Sequence, residues 1–110
     1  FFAIAFGAFG AHGLKNILSV EHLVIYRTAV DYHMWHSLGL VLIGLITQQN
    51  NSHLLYKAGW IMFAGVIIFS GSLYALSLTG ISILGAITPI GGVCFLVAWA
   101  LIAYEFITSK

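Results

Sequence analysis

Apolar residues fill long blocks of this chain, and short polar clusters separate the blocks. A membrane-spanning helix needs about 20 mostly apolar residues at about 1.5 Å each. Three blocks meet that length, at about 28–47, 57–78 and 89–107. A fourth, FFAIAFGAFGA at 1–11, is too short to cross by itself. The sequence opens on Phe1 rather than methionine, so this block is read as the truncated end of a first span that begins before Phe1. The expectation is an all-α integral membrane four-helix bundle, in one domain covering 1–110.

The connections carry their own signals. HGLKNILSVEHLVIYR joins the first two spans, and Ser19 is a candidate N-cap that would start the second helix near Val20. QQNNSHLL is a polar turn between spans two and three. Gly80 is a candidate C-cap for the third helix. Thr88 and Pro89 fit the N-cap and first helical position of the fourth. Small residues recur at helical spacing: Ala3, Gly7 and Ala11; Ala64, Gly71 and Ala75; Gly91, Cys94 and Ala98. In lipid, apolar burial hardly drives helices together, so close backbone approach at small residues matters more. Gly7, Gly71, Gly91 and Gly92 are therefore expected at helix contacts.

Composition sharpens the picture. Charged residues make up 6% of the chain and hydrophobic ones 61%, where a soluble domain has about a quarter of its residues charged. Lipid is therefore the solvent. No basic run points to nucleic acid. The single cysteine, Cys94, excludes an intrachain disulfide and reads as a small apolar residue.

One stretch departs from this plainness. YRTAVDYHMWHSLGL places Arg27, Asp31, His33 and His36 where the second span enters the membrane. At about 100° per residue, Arg27 and Asp31 share one face, one turn apart, while His33 and His36 lie on roughly the opposite face with Tyr26 and Tyr32 beside them. An ionisable side chain at membrane depth is a functional candidate by default. By depth, Tyr74 matches Asp31 and Ser70 matches His36, so a polar cluster of His12, Arg27, Asp31, Tyr32, His33, His36, Ser70, Ser72, Tyr74 and Thr88 can be drawn on the side of the first connection. Four readings are open. The favoured one makes Asp31 a partner of Arg27 and the histidines hydrogen-bonded glue between helices. The others are a proton or solute path, a metal or haem site, and catalysis. Two histidines without further ligands are a thin metal site. FSGSLY offers no partnered base, and GAFGAHG follows no strand, so neither a nucleophile nor a phosphate loop is assigned. No catalytic residue, metal or cofactor is assigned.

Four blocks, GAFGAHGL at 7–14, RTAVDYHMWHSLGL at 27–40, FSGSLYALSLTG at 69–80 and LGAITPIGG at 84–92, resemble domain-of-unknown-function family 423, in order and over most of the chain. The resemblance implies a four-helix membrane protein of the bacterial inner membrane, or of mitochondria in eukaryotic relatives. It brings no biochemical activity. Its motif falls here on Gly7, Gly10, His12, Gly13, Thr28, Ala29, Tyr32, His36, Ser70, Gly71, Ser72, Tyr74, Thr88, Pro89, Gly91 and Gly92. The family often has Gln in place of His33 and often lacks an acid at Asp31. That shifts the weight toward His12, Tyr32, His36, Ser70, Ser72 and Tyr74. The expected function is non-enzymatic: a small structural or accessory membrane protein, self-associating or part of a larger complex. A small proton-linked or solute transporter and an accessory subunit of a respiratory or envelope assembly are the alternatives.

Overall fold

A computed structural model describes residues 1–109. Four α-helices follow one another: α1 (Phe2–His12), α2 (Val20–Thr47), α3 (His53–Thr79) and α4 (Thr88–Thr108), with a 3₁₀ turn at Ser82–Ala86 before the last. Each of α2, α3 and the run Ser82–Thr108 is long and apolar enough to cross a membrane. α2, at 28 residues, is about 42 Å long, beyond the roughly 30 Å of a hydrocarbon core.

The helix ends follow local chemistry. Ser19 caps α2, its hydroxyl accepting from the His22 N–H at 3.2 Å. Gly80 ends α3 in the left-handed region at φ 72°, a backbone state that costs glycine little because it has no Cβ. Two ends differ from expectation. α3 begins at His53 because the Ser52 hydroxyl takes the Leu54 and Leu55 N–H groups, which draws the polar turn into the helix. Thr88 is no cap. It already lies in α4, and its hydroxyl is engaged with Ser72 and the Leu84 carbonyl.

Consecutive helices pack side by side, α1 on α2, α2 on α3 and α3 on α4. The bundle is flattened, measuring 52 × 26 × 16 Å. Its core gathers Ile43, Leu55, Ala58, Met62, Val66, Phe95, Ala98 and Ile102 from α2, α3 and α4. Large apolar side chains such as Trp35, Trp60, Leu96 and Ile107 point outward. This inside-out apolarity fits lipid as the surrounding medium.

Two glycines form holes along the α3–α4 seam, one filled by an aromatic ring and the other by a neighbouring helix backbone. A Cβ at Gly65 would lie 2.7 Å from the Phe95 ring, and one at Gly91 would lie 2.7 Å from Phe69 Cβ and closer still to its backbone nitrogen. Gly39 receives Met62, and Gly7 approaches Val30. Two expected packing glycines do not serve. Gly71 is exposed, and a Cβ there would meet nothing within 4 Å. Gly92 has only ordinary contact with the Phe69 ring, at 3.8 Å. On α3 the close-packed face passes through Ala58, Met62, Gly65 and Val66 instead, so the ridge of Ala64, Gly71 and Ala75 falls to one side of it.

Candidate functional site

Two polar contacts cross the α2–α3 seam. Ala29 is 0% exposed, and its missing bulk lets Ser70 approach and donate to the Ala29 carbonyl at 2.8 Å. One turn on, His33 Nδ1 and the Tyr74 hydroxyl hydrogen-bond at 3.1 Å. Long helical side chains lean toward their own N-terminus. In an antiparallel pair, His33 and Tyr74 therefore lean toward each other and meet. The Phe6 ring closes this corner, packing edge-on against Tyr74 with centroids 5.2 Å apart.

The other seams are closed in the same way. Tyr26, buried over Gly10, donates to the Phe6 carbonyl at 2.8 Å and ties α2 to α1. Ser72 and Thr88 share a hydrogen bond at 2.7 Å between α3 and α4. Ser72 also lies 2.9 Å from the Phe69 carbonyl. Thr88 in turn lies 3.4 Å from the Leu84 carbonyl, so each hydroxyl has a carbonyl to donate to and either can donate to the other.

His36 turns elsewhere. Its ring is 6% exposed and stacks on Phe95 of α4, centroids 3.5 Å apart and planes 12° apart. Its Nδ1 lies 2.7 Å from the Tyr32 carbonyl, one turn back in the same helix. That nitrogen carries the proton, and in the neutral ring Nε2 is left as an acceptor. Tyr32 lies alongside, 4.4 Å from the Phe69 ring.

The cluster drawn from the sequence thus separates into parts. His33 joins Tyr74, Ser72 joins Thr88, and Ser70 joins a backbone carbonyl. Ser70 does not reach His36. With α3 starting four residues before the expected Lys57, each of its residues sits about 6 Å farther toward the first connection. That shift puts Ser70 opposite Ala29. Three expected members lie outside altogether. His12 is exposed and bonds its own helix at the Ala8 carbonyl, 3.0 Å away. Arg27 and Asp31 are exposed, form no ion pair among the described residues, and edge a notch of about 100 Å³ beside α1 with Gly7, Gly10, Tyr26 and Val30. Tyr26 and the acceptor carbonyls of Phe6 and Ala29 were missed. Side-chain chemistry gives no sign of which backbone carbonyl a neighbour will use; the smallness of Ala29 was the available hint. No group of three or more His, Cys, Asp or Glu able to hold a metal occurs among the described residues.

Every enclosed side-chain nitrogen or oxygen among the described residues has a hydrogen-bond partner. Fold and site together define a small polytopic α-helical membrane protein whose neighbouring helices are tied by hydrogen bonds. The chain belongs to the family described as "Protein of unknown function (DUF423)", which matches residues 6–92. It is 50% identical over 101 residues to the UPF0382 membrane protein YwdK of Bacillus subtilis, covering 91% of this chain and 82% of that protein. It is 50% identical over 100 residues to the UPF0382 membrane protein SSP2132 of Staphylococcus saprophyticus, with the same coverage of 91% and 82%. A UPF0382 membrane protein of Staphylococcus epidermidis is 52% identical over 97 residues, 88% of this chain and 79% of that protein. No solved structure matches.

Proposed function

We propose that the protein is a non-enzymatic structural or accessory component of the bacterial plasma membrane, working in association with itself or with a larger membrane complex. The observation that carries this reading is the complete pairing of enclosed polar side-chain atoms among the described residues, with at least one hydrogen bond across each seam between consecutive helices. Polar groups spent on helix contacts leave no chain of free donors and acceptors for a proton or solute to follow. The plasma membrane is favoured because the spans are helical, whereas outer-membrane spans are closed β-barrels. The bacterial membrane proteins among its relatives support the same placement.

The test is reconstitution. Liposomes containing the purified protein are followed for proton and small-solute flux across several pH values, beside empty liposomes. Flux no greater than that of empty liposomes is the expected result. Flux that depends on the protein overturns the reading in favour of a transporter. A native gel of membranes solubilised in mild detergent checks the association, and migration solely as a monomer refutes it.

A further inference from the structure

Between α2 and α4 lies a groove of about 430 Å³. Its lining is aromatic and small: Tyr32, Phe69, Phe95 and Trp99 form its walls, Gly92 leaves part of it open, and His36 supplies its nitrogen. The only hydrogen bond His36 makes among the described residues is through Nδ1. Among the described residues no enclosed side-chain nitrogen lacks a partner, so the unpaired Nε2 is not sealed inside the protein. His36 lines the groove, which is where a ligand can reach this nitrogen.

Three features narrow what fits there. First, the Tyr32 carbonyl holds the proton on Nδ1, so the neutral ring offers the groove an acceptor and calls for a donor. Second, aromatic walls favour a flat ring that stacks or meets them edge-on. Third, His36 lies about 24 Å from the start of α2 and about 16 Å from its end. At that depth a charged lipid headgroup is excluded by the cost of burying its charge. The ligand must arrive dissolved in the hydrocarbon.

We propose that this groove binds the ring of a lipid-dissolved hydroquinone, with one ring hydroxyl donating to His36 Nε2 and the apolar tail leaving along the lipid-facing side of α4. An imidazole locked by its own helix is preorganised for this, since the acceptor needs no rotamer change to receive the hydroxyl. Gly92 makes the room: a Cβ there meets only the Phe69 ring at 3.8 Å, so the space in front of it is free. The site goes beyond the accessory role proposed above and does not depend on it. A protein that carries no flux can hold this ligand, and one that carries flux can lack it.

The experiment uses the full chain in nanodiscs of quinone-free phospholipid. The probe is 2-decyl-1,4-hydroquinone, kept reduced. Trp99 reports binding by fluorescence in a Trp35→Phe, Trp60→Phe background, since Trp99 lines the groove and the other two tryptophans do not. Saturable quenching is expected. The 1,4-dimethoxy analogue with the same tail has no donor and binds about tenfold more weakly or worse. His36→Phe keeps a ring against Phe95 but removes the acceptor, and loses affinity by a similar factor. Gly92→Leu fills the groove and abolishes saturation. Thermal melts accompany each variant, and Gly92→Leu carries the test if His36→Phe does not fold. Quenching that only rises linearly with probe, as for simple partitioning into lipid, overturns the proposal. So does equal affinity for the dimethoxy analogue or for decanol, or unchanged affinity in a folded Gly92→Leu protein.

Discussion

Adding one methyl group at Gly91 and one at Gly65 strains the same α3–α4 seam in two different ways. At Gly91 the new Cβ meets the backbone nitrogen of Phe69, with its Cβ at 2.7 Å and its Cα at 2.8 Å. At Gly65 it meets Cδ1 and Cε1 of the Phe95 ring, both at 2.7 Å. Overpacking of this kind costs about 1–3 kcal/mol, and the better helix propensity of alanine offsets about 0.5–1 kcal/mol of it. Gly91→Ala and Gly65→Ala are each expected to destabilise by up to about 2.5 kcal/mol, taking the larger cost against the smaller offset. Gly71→Ala, with open space around it, is expected to stabilise slightly. The diagnostic is rescue. Shortening Phe95 to Leu removes Cε1 and leaves two Cδ atoms that can rotate away, which relieves Gly65→Ala. Shortening Phe69 to Leu leaves its backbone and Cβ in place and does not relieve Gly91→Ala. Double-mutant cycles by reversible unfolding in mixed micelles measure both couplings, and contacting residues typically couple by about 0.5–3 kcal/mol. Zero coupling between Gly65→Ala and Phe95→Leu, or an unchanged stability for Gly91→Ala, would refute the knob-and-hole account of this seam.

The hydrogen-bonded seams make further predictions. Ser70→Ala and Tyr26→Phe, each removing one interhelical bond, are expected to cost about 0.6 kcal/mol and at most about 2 in the same unfolding assay; no loss in either would remove that bond from the account. Arg27→Gln and Asp31→Asn, exposed and not paired with each other, should each change stability by less than about 0.5 kcal/mol. In a Cys94→Ala background, single cysteines at Asn16 and Ser82 should label from one side of the membrane and those at Asn50 and Ser109 from the other. Labelling of Asn16 and Asn50 from the same side would contradict the order of spans.

Three spans, the Ser19 and Gly80 ends and the contact at Gly91 were legible because each depends on short-range information: apolar length, a capping hydroxyl, a left-handed residue, a small side chain. Register was not legible. Ser52 offers the same kind of capping hydroxyl as Ser19, but Asn50, Asn51 and Ser52 are all cap residues, and only the bonds to Leu54 and Leu55 single Ser52 out. That one cap moves every residue of α3 about a turn along α2. The same blind spot misplaced Gly71. Its spacing to Ala64 and Ala75 is helical, but spacing defines a face without saying which neighbour, if any, that face meets.

The four ionisable residues packed into one stretch of α2 are not one site because a helix spreads sequence neighbours around its axis. Arg27 and Asp31 open onto the notch beside α1, His33 enters the seam with α3, and His36 stacks on α4. α2 touches all three other helices through this stretch. α3, its inner neighbour, supplies the buried serines and Tyr74. The outer helices carry their histidine and acidic side chains only at their ends, His12 on α1 and Glu105 on α4. The distribution follows from the cost of a polar group against lipid. A residue on an inner helix is more often within reach of a carbonyl or hydroxyl partner, and a hydroxyl or imidazole is satisfied by one such bond. A charge is harder to satisfy, which is why Glu21 and Arg27 lie toward the end where α2 exceeds the hydrocarbon core and Asp31 about one turn further in, while His33 and His36 occupy its depth.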